Sequence, residues 1–448
     1  MNKSIIKTLT LACLCIAGAS CSMKEGTRQN TCQRYQYPCI LDISVTPEHG
    51  MKRVGCFTDA GSWMGFTIPQ KDKWINGFCG PFSIDNRVWF AQSAVSVNID
   101  GAEFQPDSIS YFPGEVYMSA KSEYGSMEQR MVFASANTAL VNIKNNSGEE
   151  FSVSGKGWNK DITLKKSNNI ITASHPNGET VQITFPQDFD VICNDSNYTA
   201  TNNSKNTYVA ISFYASENEL VSGEQKAISL LNNPEPSIKK NNDRWEGYLS
   251  KVLRTDMKHE YNRVAVKSVV TLISNWRTHR EGLLHDGVIP SHAVNYFIGF
   301  WAWDSWRFSA ALARFEPELA KNNIRAMFDY QLPDGMIIDC IYTDPAENNA
   351  RDSKPPLVCW AVDEILKFNK DTAFVKEMYP QLLSYYKWWF NKRDHNKNGM
   401  CEFGCTDGTL EAAGWESGMD NAIRFDNCKM LKNANDAWSF DQESVDLN

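Results

Sequence analysis

The chain has 448 residues, which is long enough for two domains with substantial hydrophobic cores. Its 45 basic and 53 acidic residues are well mixed and give a net charge of -8, so the composition excludes the broad basic surface typical of nucleic-acid-binding proteins. We therefore predict no nucleic-acid partner.

The first 20 residues have the pattern of a secretory signal peptide. Lys3 and Lys7 precede an apolar stretch at 9–19, which is too short to span a bilayer and ends in small residues. The following G-A-S-C sequence resembles the cleavage box of bacterial lipoproteins, with Cys21 as the lipidated first residue. We predict an exported protein of the bacterial cell envelope, in the periplasm or outer membrane, that contacts the membrane through a lipid anchor only.

The 13 cysteines do not form an obvious framework. They are scattered without C-x-x-C spacing or a nearby His, so a zinc site is not predicted. Cys32 and Cys39 could close a small disulfide in an oxidising compartment, and buried free thiols are the alternative.

Residues 32–237 are predicted to form an antiparallel β-sandwich. Short stretches of alternating apolar and polar residues recur along this part of the chain, separated by turn sequences such as N-N-S-G and P-N-G. The clearest predicted strands are 94–99, 115–120, 139–143, 180–185 and 208–214.

Residues 241–448 are predicted to be helical. A Pro-containing segment near 232–237 separates them from the sandwich, and no strands are expected between the helices. Amphipathic helices with elaborate loops at one end are typical of an α/α barrel, although an open helical array has the same pattern. The predicted helices are 244–253, 261–276, 307–314, 317–330, 357–368 and 372–392.

Two segments of the helical part carry residues suited to chemistry. Segment 300–306 reads F-W-A-W-D-S-W, in which aromatic faces can stack on a sugar ring while a carboxylate accepts hydrogen bonds from hydroxyl groups. Segment 414–426 reads G-W-E-S-G-M-D-N-A-I-R-F-D and places acids beside Trp415 and Met419 on a glycine-containing turn. Desolvation there would raise a carboxyl pKa and suit a general acid, whereas an ordinary acidic surface loop is the alternative.

Together these segments resemble the signature pair of the inverting glycosidases of glycoside hydrolase family 63, which include mannosylglycerate hydrolases and bacterial α-glucosidases. Trehalases are similar more distantly. The resemblance implies a multidomain β + α chain, with an N-terminal antiparallel β-sandwich followed by an (α/α)6 barrel. It also implies an oligosaccharide or small glycoside as substrate, with Asp420 of the S-G-x-D sequence as the general acid.

The resemblance further implies a set of substrate-binding residues. Asp304 matches an Asp that holds the sugar in the cleaved subsite, and a K-P sequence near the substrate matches Lys354. The alternative for Asp304 is helix capping with its neighbouring Trp side chains in the core, and ordinary loop residues are the alternative for the rest. The complete predicted set is Trp301, Trp303, Asp304, Asp334, Gly335, Lys354, Trp415 and Glu416.

Segment 394–402, D-H-N-K-N-G-M-C-E, reproduces the front of an EF-hand calcium loop. Position 12 of such a loop is Cys405 here, so a carboxylate must come from elsewhere, and the family resemblance implies Glu443 of the Q-E-S-V-D sequence. We predict a structural Ca²⁺, with an Asx turn at a helix end as the alternative. The predicted ligands are Asp394, Asn396, Asn398, Met400, Glu402 and Glu443.

An inverting glycosidase also needs a general base on the opposite face of the sugar. The resemblance implies a Glu followed by Asn well beyond the acid, and no Glu-Asn pair follows Asp420 in these 448 residues. We therefore expect only the first half of the barrel and little or no activity for this chain alone. A carbohydrate-binding envelope lipoprotein without catalysis is the alternative function.

Overall fold

The computed structural model describes residues 34–48, 50–432, 437–444 and 447–448. The predicted signal peptide, the lipidation site at Cys21 and the thiol of Cys32 lie outside these ranges. Cys39 is exposed, and its disulfide with Cys32 stays a prediction.

Two large sheets make up the N-terminal part, because alternating side chains let each strand bury one face. The first sheet has the order β1-β2-β4-β9-β14-β13, with β3 paired to β2. Its pairings are antiparallel except for a parallel contact between β2 and β4. The strands are β1 (Met64–Thr67), β2 (Cys79–Ser83), β3 (Val88–Trp89), β4 (Ala91–Asn98), β9 (Phe151–Trp158), β13 (Asp190–Cys193) and β14 (Tyr198–Asn202).

The second sheet is antiparallel throughout and has the order β10-β11-β12-β15-β8-β7-β6-β5. Phe66 of the first sheet and Phe133 of the second have ring centroids 6.2 Å apart, so the two sheets share one core. All five predicted strands are present. The strands are β5 (Gln105–Phe112), β6 (Glu115–Ser122), β7 (Gly125–Ser135), β8 (Thr138–Asn145), β10 (Thr163–Ser167), β11 (Ile170–Ser174), β12 (Thr180–Thr184) and β15 (Asn206–Tyr214).

The prediction of β structure up to residue 237 is wrong, because α1 (Glu217–Asn232) follows the last large strand. The Ser216 side chain caps this helix by accepting a hydrogen bond from the Glu219 amide. A Cβ at Gly223 would lie 2.1 Å from Tyr214, so the glycine lets the helix pack directly against the second sheet. The N-N-P-E-P-S sequence then starts the next helix instead of forming a linker, with Pro at its first turn.

The remaining helices form a packed array in which α4 contacts both α5 and α6. Helix α3 buries one apolar stripe that includes Val266, Val269 and Ile273, as amphipathic spacing requires. These helices are α2 (Glu235–Val252), α3 (His259–Asn275), α4 (Ala302–Leu312), α5 (Pro317–Phe328), α6 (Val358–Asn369), α7 (Thr372–Lys392) and α8 (Leu410–Glu416).

Short strands interrupt the helical part, contrary to prediction. They occur because loops between helices pair with each other and thereby satisfy their backbone groups. The pairs and triplet are β16 (Trp276–Arg277) with β17 (Gly287–Val288), β18 (Phe300–Trp301) with β19 (Cys340–Ile341), and β22 (Trp438–Phe440) with β20 (Gly404–Cys405) and β21 (Met430–Lys432).

Side chains cross between the sheets and the helices. Asp59 lies in the segment before β1. Its Oδ2 atom accepts hydrogen bonds from Arg244 at 2.7 Å and from the Trp245 indole at 2.8 Å. The buried Arg277 guanidinium donates to the Ser62 carbonyl at 2.8 Å. In the ranges that the structure covers, no helix has the length and apolar character to cross a membrane.

Candidate active site

The pairing of β18 with β19 brings Asp304 and Asp339 close enough for their charges to interact. The Ala302 amide donates to the Asp339 carbonyl at 2.9 Å, and helix α4 begins there. The prediction that the helix starts near residue 307 is therefore wrong by more than one turn. Strand β18 ends at Trp301 and α4 begins at the next residue, so Trp303 and Asp304 lie in the first turn of the helix.

Asp304 is half-buried beside this strand pair. Burial raises its pKa to about 6, Asp339 contributes to the increase, and the positive charges of Lys354 and Arg307 oppose it. The Arg307 guanidinium lies 4.1 Å from the Trp303 ring centroid, which fixes the face of that ring. Asp304 is thus a carboxyl that changes charge near neutral pH.

Behind Asp304 lies a buried ionic cluster of Asp339, Asn349, Asp352 and Lys354. The ammonium of Lys354 is 3.2 Å from Asp339 Oδ1 and 3.3 Å from Asp352 Oδ2. It also donates a hydrogen bond to the Trp415 carbonyl. The Asn349 amide donates to Asp339 Oδ2 at 2.9 Å and to Asp352 Oδ1 at 3.1 Å.

The cluster contains two carboxyl groups, those of Asp339 and Asp352, around the ammonium of Lys354. Burial raises the pKa of Asp352 to about 8, with a further increase from Asp339 and opposition from Lys354. Burial also raises the pKa of Asp339, although Lys354 opposes this, and the charge of Asp420 adds to the increase. The pKa of Lys354 is raised because its two carboxylate partners outweigh the desolvation of the ammonium. The cluster therefore tends to retain a proton near neutral pH.

The segment carrying Asp420 is held against the Trp303 ring. Helix α8 begins at a Thr409 cap and ends at Glu416, and Gly418 follows with φ +65°. A Cβ at Gly418 would lie 1.9 Å from a carbon of the Trp303 ring, so only glycine permits this contact. The contact brings the two sequence motifs together. Asp420 is exposed beyond the turn rather than enclosed by Trp415 and Met419.

Glu416 is completely buried and has no surface for a ligand in this structure. Its carboxylate accepts two hydrogen bonds from Arg393, at 2.6 and 2.7 Å, and others from the amides of Ser353, at 3.1 Å, and Gly404, at 2.5 Å. Trp415 is half-buried, with the Arg351 guanidinium 4.9 Å from its ring centroid. Glu416 thus anchors the segment that carries Asp420 to Arg393.

Asp334 and Gly335 lie against helix α7 and not in the ionic cluster. A Cβ at Gly335 would meet the Ser384 carbonyl at 2.5 Å, and the Asp334 carboxylate is 4.0 Å from the ammonium of Lys392. The structure brings together Trp303, Asp304, Lys354, Trp415 and the Asp420 segment, and Trp301 borders them in an aromatic contact with Tyr342.

The predicted calcium loop has a folded form suited to a cation. Asp394 accepts hydrogen bonds from the amides of Asn398 at 3.0 Å and Gly399 at 2.9 Å, which curls the loop around its oxygens. The side-chain amide of Asn398 donates to the Glu443 carboxylate at 2.8 Å, so this Glu, which is distant in sequence, reaches the loop. Glu402 is buried and accepts from the His395 amide at 3.0 Å.

Within the described ranges, no three His, Cys, Asp or Glu side chains are close enough to hold a metal on their own. Amide and carbonyl oxygens of Asn396, Asn398 and Met400 would have to complete the site. Such a mixed oxygen donor set fits Ca²⁺.

The sequence analysis did not single out Asp339, Asp352 or Arg393. Two signals were available. The apolar run M-I-I leads directly into Asp339, which predicts a buried acid, and Asp352 precedes Lys354 by two residues. Only the fold shows that Arg393, at the end of α7, points to Glu416.

Comparison with known proteins connects this arrangement with glycosidases. Residues 298–444 match the family model described as the mannosylglycerate hydrolase MGH1-like glycoside hydrolase domain. Two Selaginella moellendorffii proteins, mannosylglycerate hydrolases MGH2 and MGH1, are each 26% identical over 146 residues. That alignment covers 28% of this chain and 28% of each relative's length. These matches confirm the resemblance seen in the two motifs.

Solved structures give weaker likenesses. A bacterial glucoamylase complexed with acarbose has a TM-score of 0.47 at 10% identity, covering 86% of this chain and 67% of that one. A family GH92 glycosyl hydrolase has a TM-score of 0.44 at 12% identity, covering 85% and 60%. The likeness of the part that holds both motifs to a glycoside hydrolase domain rests on the family match over residues 298–444.

Proposed function

We propose that this protein contributes the acid side of an inverting glycosidase site, acting on the O-glycosidic bond of an oligosaccharide or small glycoside. The packing of Gly418 against Trp303 carries this proposal, because it sets the Asp420 segment beside Asp304. A sugar ring stacked on the accessible part of the half-buried Trp301 and Trp303 rings would present hydroxyl groups to Asp304.

In the proposed reaction Asp420 donates its proton to the glycosidic oxygen as the bond to the anomeric carbon breaks. Water attacks the opposite face of that carbon and loses a proton to a base, so the configuration inverts. The two carboxyls of such a site are about 6.5–9.5 Å apart to leave room for the water. We assign the acid to Asp420, and we assign sugar contact to Asp304, Trp301 and Trp303.

We assign no residue of this sequence to the base. Losing a positioned base lowers the rate by about 10² to 10⁴. An anionic nucleophile needs no base, and a glycosyl fluoride has a good leaving group. We therefore propose to supply α-glucosyl and α-mannosyl fluorides with azide, in the full chain.

We expect formation of the β-glycosyl azide from one of the two fluorides, with release of fluoride, at a rate that Asp420→Asn changes little, because fluoride leaves with little help from an acid. The phenyl α-glycoside of the same sugar has a poor leaving group, so its reaction with azide should fall at least about tenfold in Asp420→Asn. Asp426→Asn, an exposed acid in the same segment, is the matched control and should keep the wild-type rate on both substrates. Equal rates of wild type and Asp420→Asn on the phenyl glycoside would remove Asp420 as the acid. No azide product from either fluoride, together with sugar binding, would favour the non-catalytic function.

We also propose that Ca²⁺ binds loop 394–402 and stabilises it. Asp394 with Asn396, Asn398, Met400, Glu402 and Glu443 would supply the oxygens, and the reach of Glu443 to Asn398 supports this. A bound ion would brace the end of α7, next to Arg393 and its partner Glu416.

The calcium proposal is tested by thermal unfolding after EGTA treatment and dialysis. We expect added CaCl₂ to raise Tm, by the equivalent of about 2.7 kcal/mol at 100 times Kd. Asp394→Ala should lose the response, whereas Asp195→Ala, an exposed acid on the β13–β14 turn, should keep it. An unchanged Tm in the wild-type chain would contradict the proposal.

Export with a lipid anchor at Cys21 is proposed from the N-terminal sequence. Palmitate labelling in a bacterial host should mark the wild-type protein and not Cys21→Ser. Labelling of both would contradict the assignment.

A further inference from the structure

We propose that Asp339, Asp352 and Lys354 are positioning residues, which hold the sugar-contact segment and the acid segment at a fixed separation without touching the substrate. This inference rests on the proposed function only for its catalytic consequence. The positioning itself concerns the Trp303–Gly418 contact and can be observed without any reaction.

Lys354 joins the two segments through its ammonium. It contacts the carboxylate of Asp339, whose backbone carbonyl accepts the Ala302 amide at 2.9 Å and so anchors the first turn of α4. It also donates to the Trp415 carbonyl, three residues before Gly418. Asp352 completes the cluster from the intervening loop.

Burial makes this link stiff. The side chains of Lys354, Asp339 and Asp352 are only 9%, 6% and 0% exposed. Removing the charge of Lys354 would leave two buried carboxyl groups without a positive partner, which is strongly unfavourable. The Lys354 backbone is also restrained, since two prolines follow it and the Tyr385 hydroxyl donates to its carbonyl at 2.9 Å. The ammonium therefore cannot follow a displaced segment without losing a partner.

Charge balance gives the inference a specific signature. Above about pH 8, where Asp352 is also ionised, the cluster carries one net negative charge, and Lys354→Met would leave two carboxylates facing each other. Adding Asp352→Asn returns the net charge to its original value without restoring the bridge to Trp415. A direct sugar contact by Lys354 predicts no such recovery.

The activity-independent measurement is ¹⁹F NMR of the chain labelled with 5-fluorotryptophan, with the Trp303 signal assigned through Trp303→Phe. Because the Trp303 ring packs on Gly418, its signal reports the separation of the segments. We expect Lys354→Met to shift and broaden this signal. We expect Lys354→Met/Asp352→Asn to restore it partly and Lys354→Arg to restore it further.

The catalytic measurement uses the reaction of the phenyl α-glycoside with azide, because its poor leaving group makes the rate depend on the position of the acid. We expect kcat to fall at least about tenfold in Lys354→Met with KM nearly unchanged, because misplacement of about 1 Å is costly to rate. Asp352→Asn, which preserves side-chain shape, provides a milder variant if Lys354→Met does not fold, and it should also move the Trp303 signal.

The outcomes separate the two proposals. An unmoved Trp303 signal in both Lys354→Met and Asp352→Asn would overturn the positioning role. A raised KM with an unmoved signal would instead make Lys354 a substrate contact. A shifted signal in a chain that turns over neither fluoride would keep the positioning role while the proposed reaction fails.

Discussion

The raised pKa of Asp304 makes the stability of the folded chain depend on pH. Its carboxyl is held where its charged form is poorly solvated, so the folded chain keeps the proton to about pH 6, whereas an unfolded Asp loses it near pH 3.9. Between these values the folded state binds more protons than the unfolded state. The free energy of unfolding therefore falls as pH rises from about 4 to 6 through this group.

We expect Asp304→Asn to remove this pH-dependent loss. Relative to the wild-type chain, the variant should gain about 1 to 3 kcal/mol between pH 4 and pH 7, after allowance for partial exposure. Urea unfolding at several pH values measures the difference. A constant difference across this range would show that Asp304 ionises normally in the folded state. Turnover in the fluoride assay should fall at the same time.

Glu416 and Arg393 form the other critical pair at this scale. Both side chains are buried and they share two hydrogen bonds. We expect Glu416→Gln to destabilise the chain by about 3–5 kcal/mol, because the Arg393 charge is left uncompensated. Thermal unfolding is the measurement, and Glu411→Gln on the exposed face of α8 is the control. A loss below about 1 kcal/mol would show that water or a rotated partner compensates the guanidinium.

At the scale of the secondary structure elements, the turn after α8 sets the position of Asp420. We expect Gly418→Ala to cost about 1–3 kcal/mol in stability and to displace Asp420, because both φ and the Trp303 contact exclude a Cβ. Gly148→Ala is the matched control, since its φ is +84° but nothing lies within 4 Å of the added Cβ. Both variants bear backbone strain, and only Gly418→Ala should also lose turnover. Equal turnover would show that the Trp303 contact is dispensable.

Prediction from sequence succeeded where the periodicity was long. Helix α7 begins and ends at the predicted residues, because a 21-residue amphipathic pattern with an Asp371 cap leaves little choice. It failed for α4, whose start depends on an amide of Ala302 finding the Asp339 carbonyl. It also failed for α1, where short polar stretches hid a helix that needs the sheet for its burial.

The candidate site divides in the same way. Trp303, Asp304 and Asp420 stood out because their motifs are local in sequence. The ionic cluster did not, since Asp339 and Asp352 acquire their meaning only when the fold places Lys354 between them. Burial of Glu416 against Arg393, 23 residues away in sequence, likewise depends on tertiary packing and has no local pattern.

At the scale of the whole molecule, the two sheets reach the loops around the site. Asp85, between β2 and β3, accepts a hydrogen bond from the Thr343 hydroxyl at 3.1 Å, next to the aromatic ring of Tyr342. The neighbouring Arg87 donates to the His292 carbonyl, in the loop that leads to β18. The sheets therefore help to set the position of the aromatic residues that border Asp304.

We expect Thr343→Val to lower the free energy of unfolding by about 1 kcal/mol and to raise KM, because the substitution keeps the shape of the side chain but removes its bond to Asp85. Thr271→Val is the control, as the Thr271 hydroxyl bonds only within helix α3. Kinetics and urea unfolding of both variants provide the test. An unchanged KM for Thr343→Val would show that the sheets affect stability alone.

The hydrogen bonds of Asp59 with Arg244 and Trp245 have a consequence for the evolution of this chain. A recombination event that joined these sheets to unrelated helices would leave the buried carboxylate of Asp59 without the Arg244 guanidinium and the Trp245 indole that donate to it. A Cβ at Gly114 would already lie 2.0 Å from the Trp245 ring, so the surfaces also match in shape. The two parts should consequently evolve together, and gene fragments that separate them should be rare among descendants of this sequence.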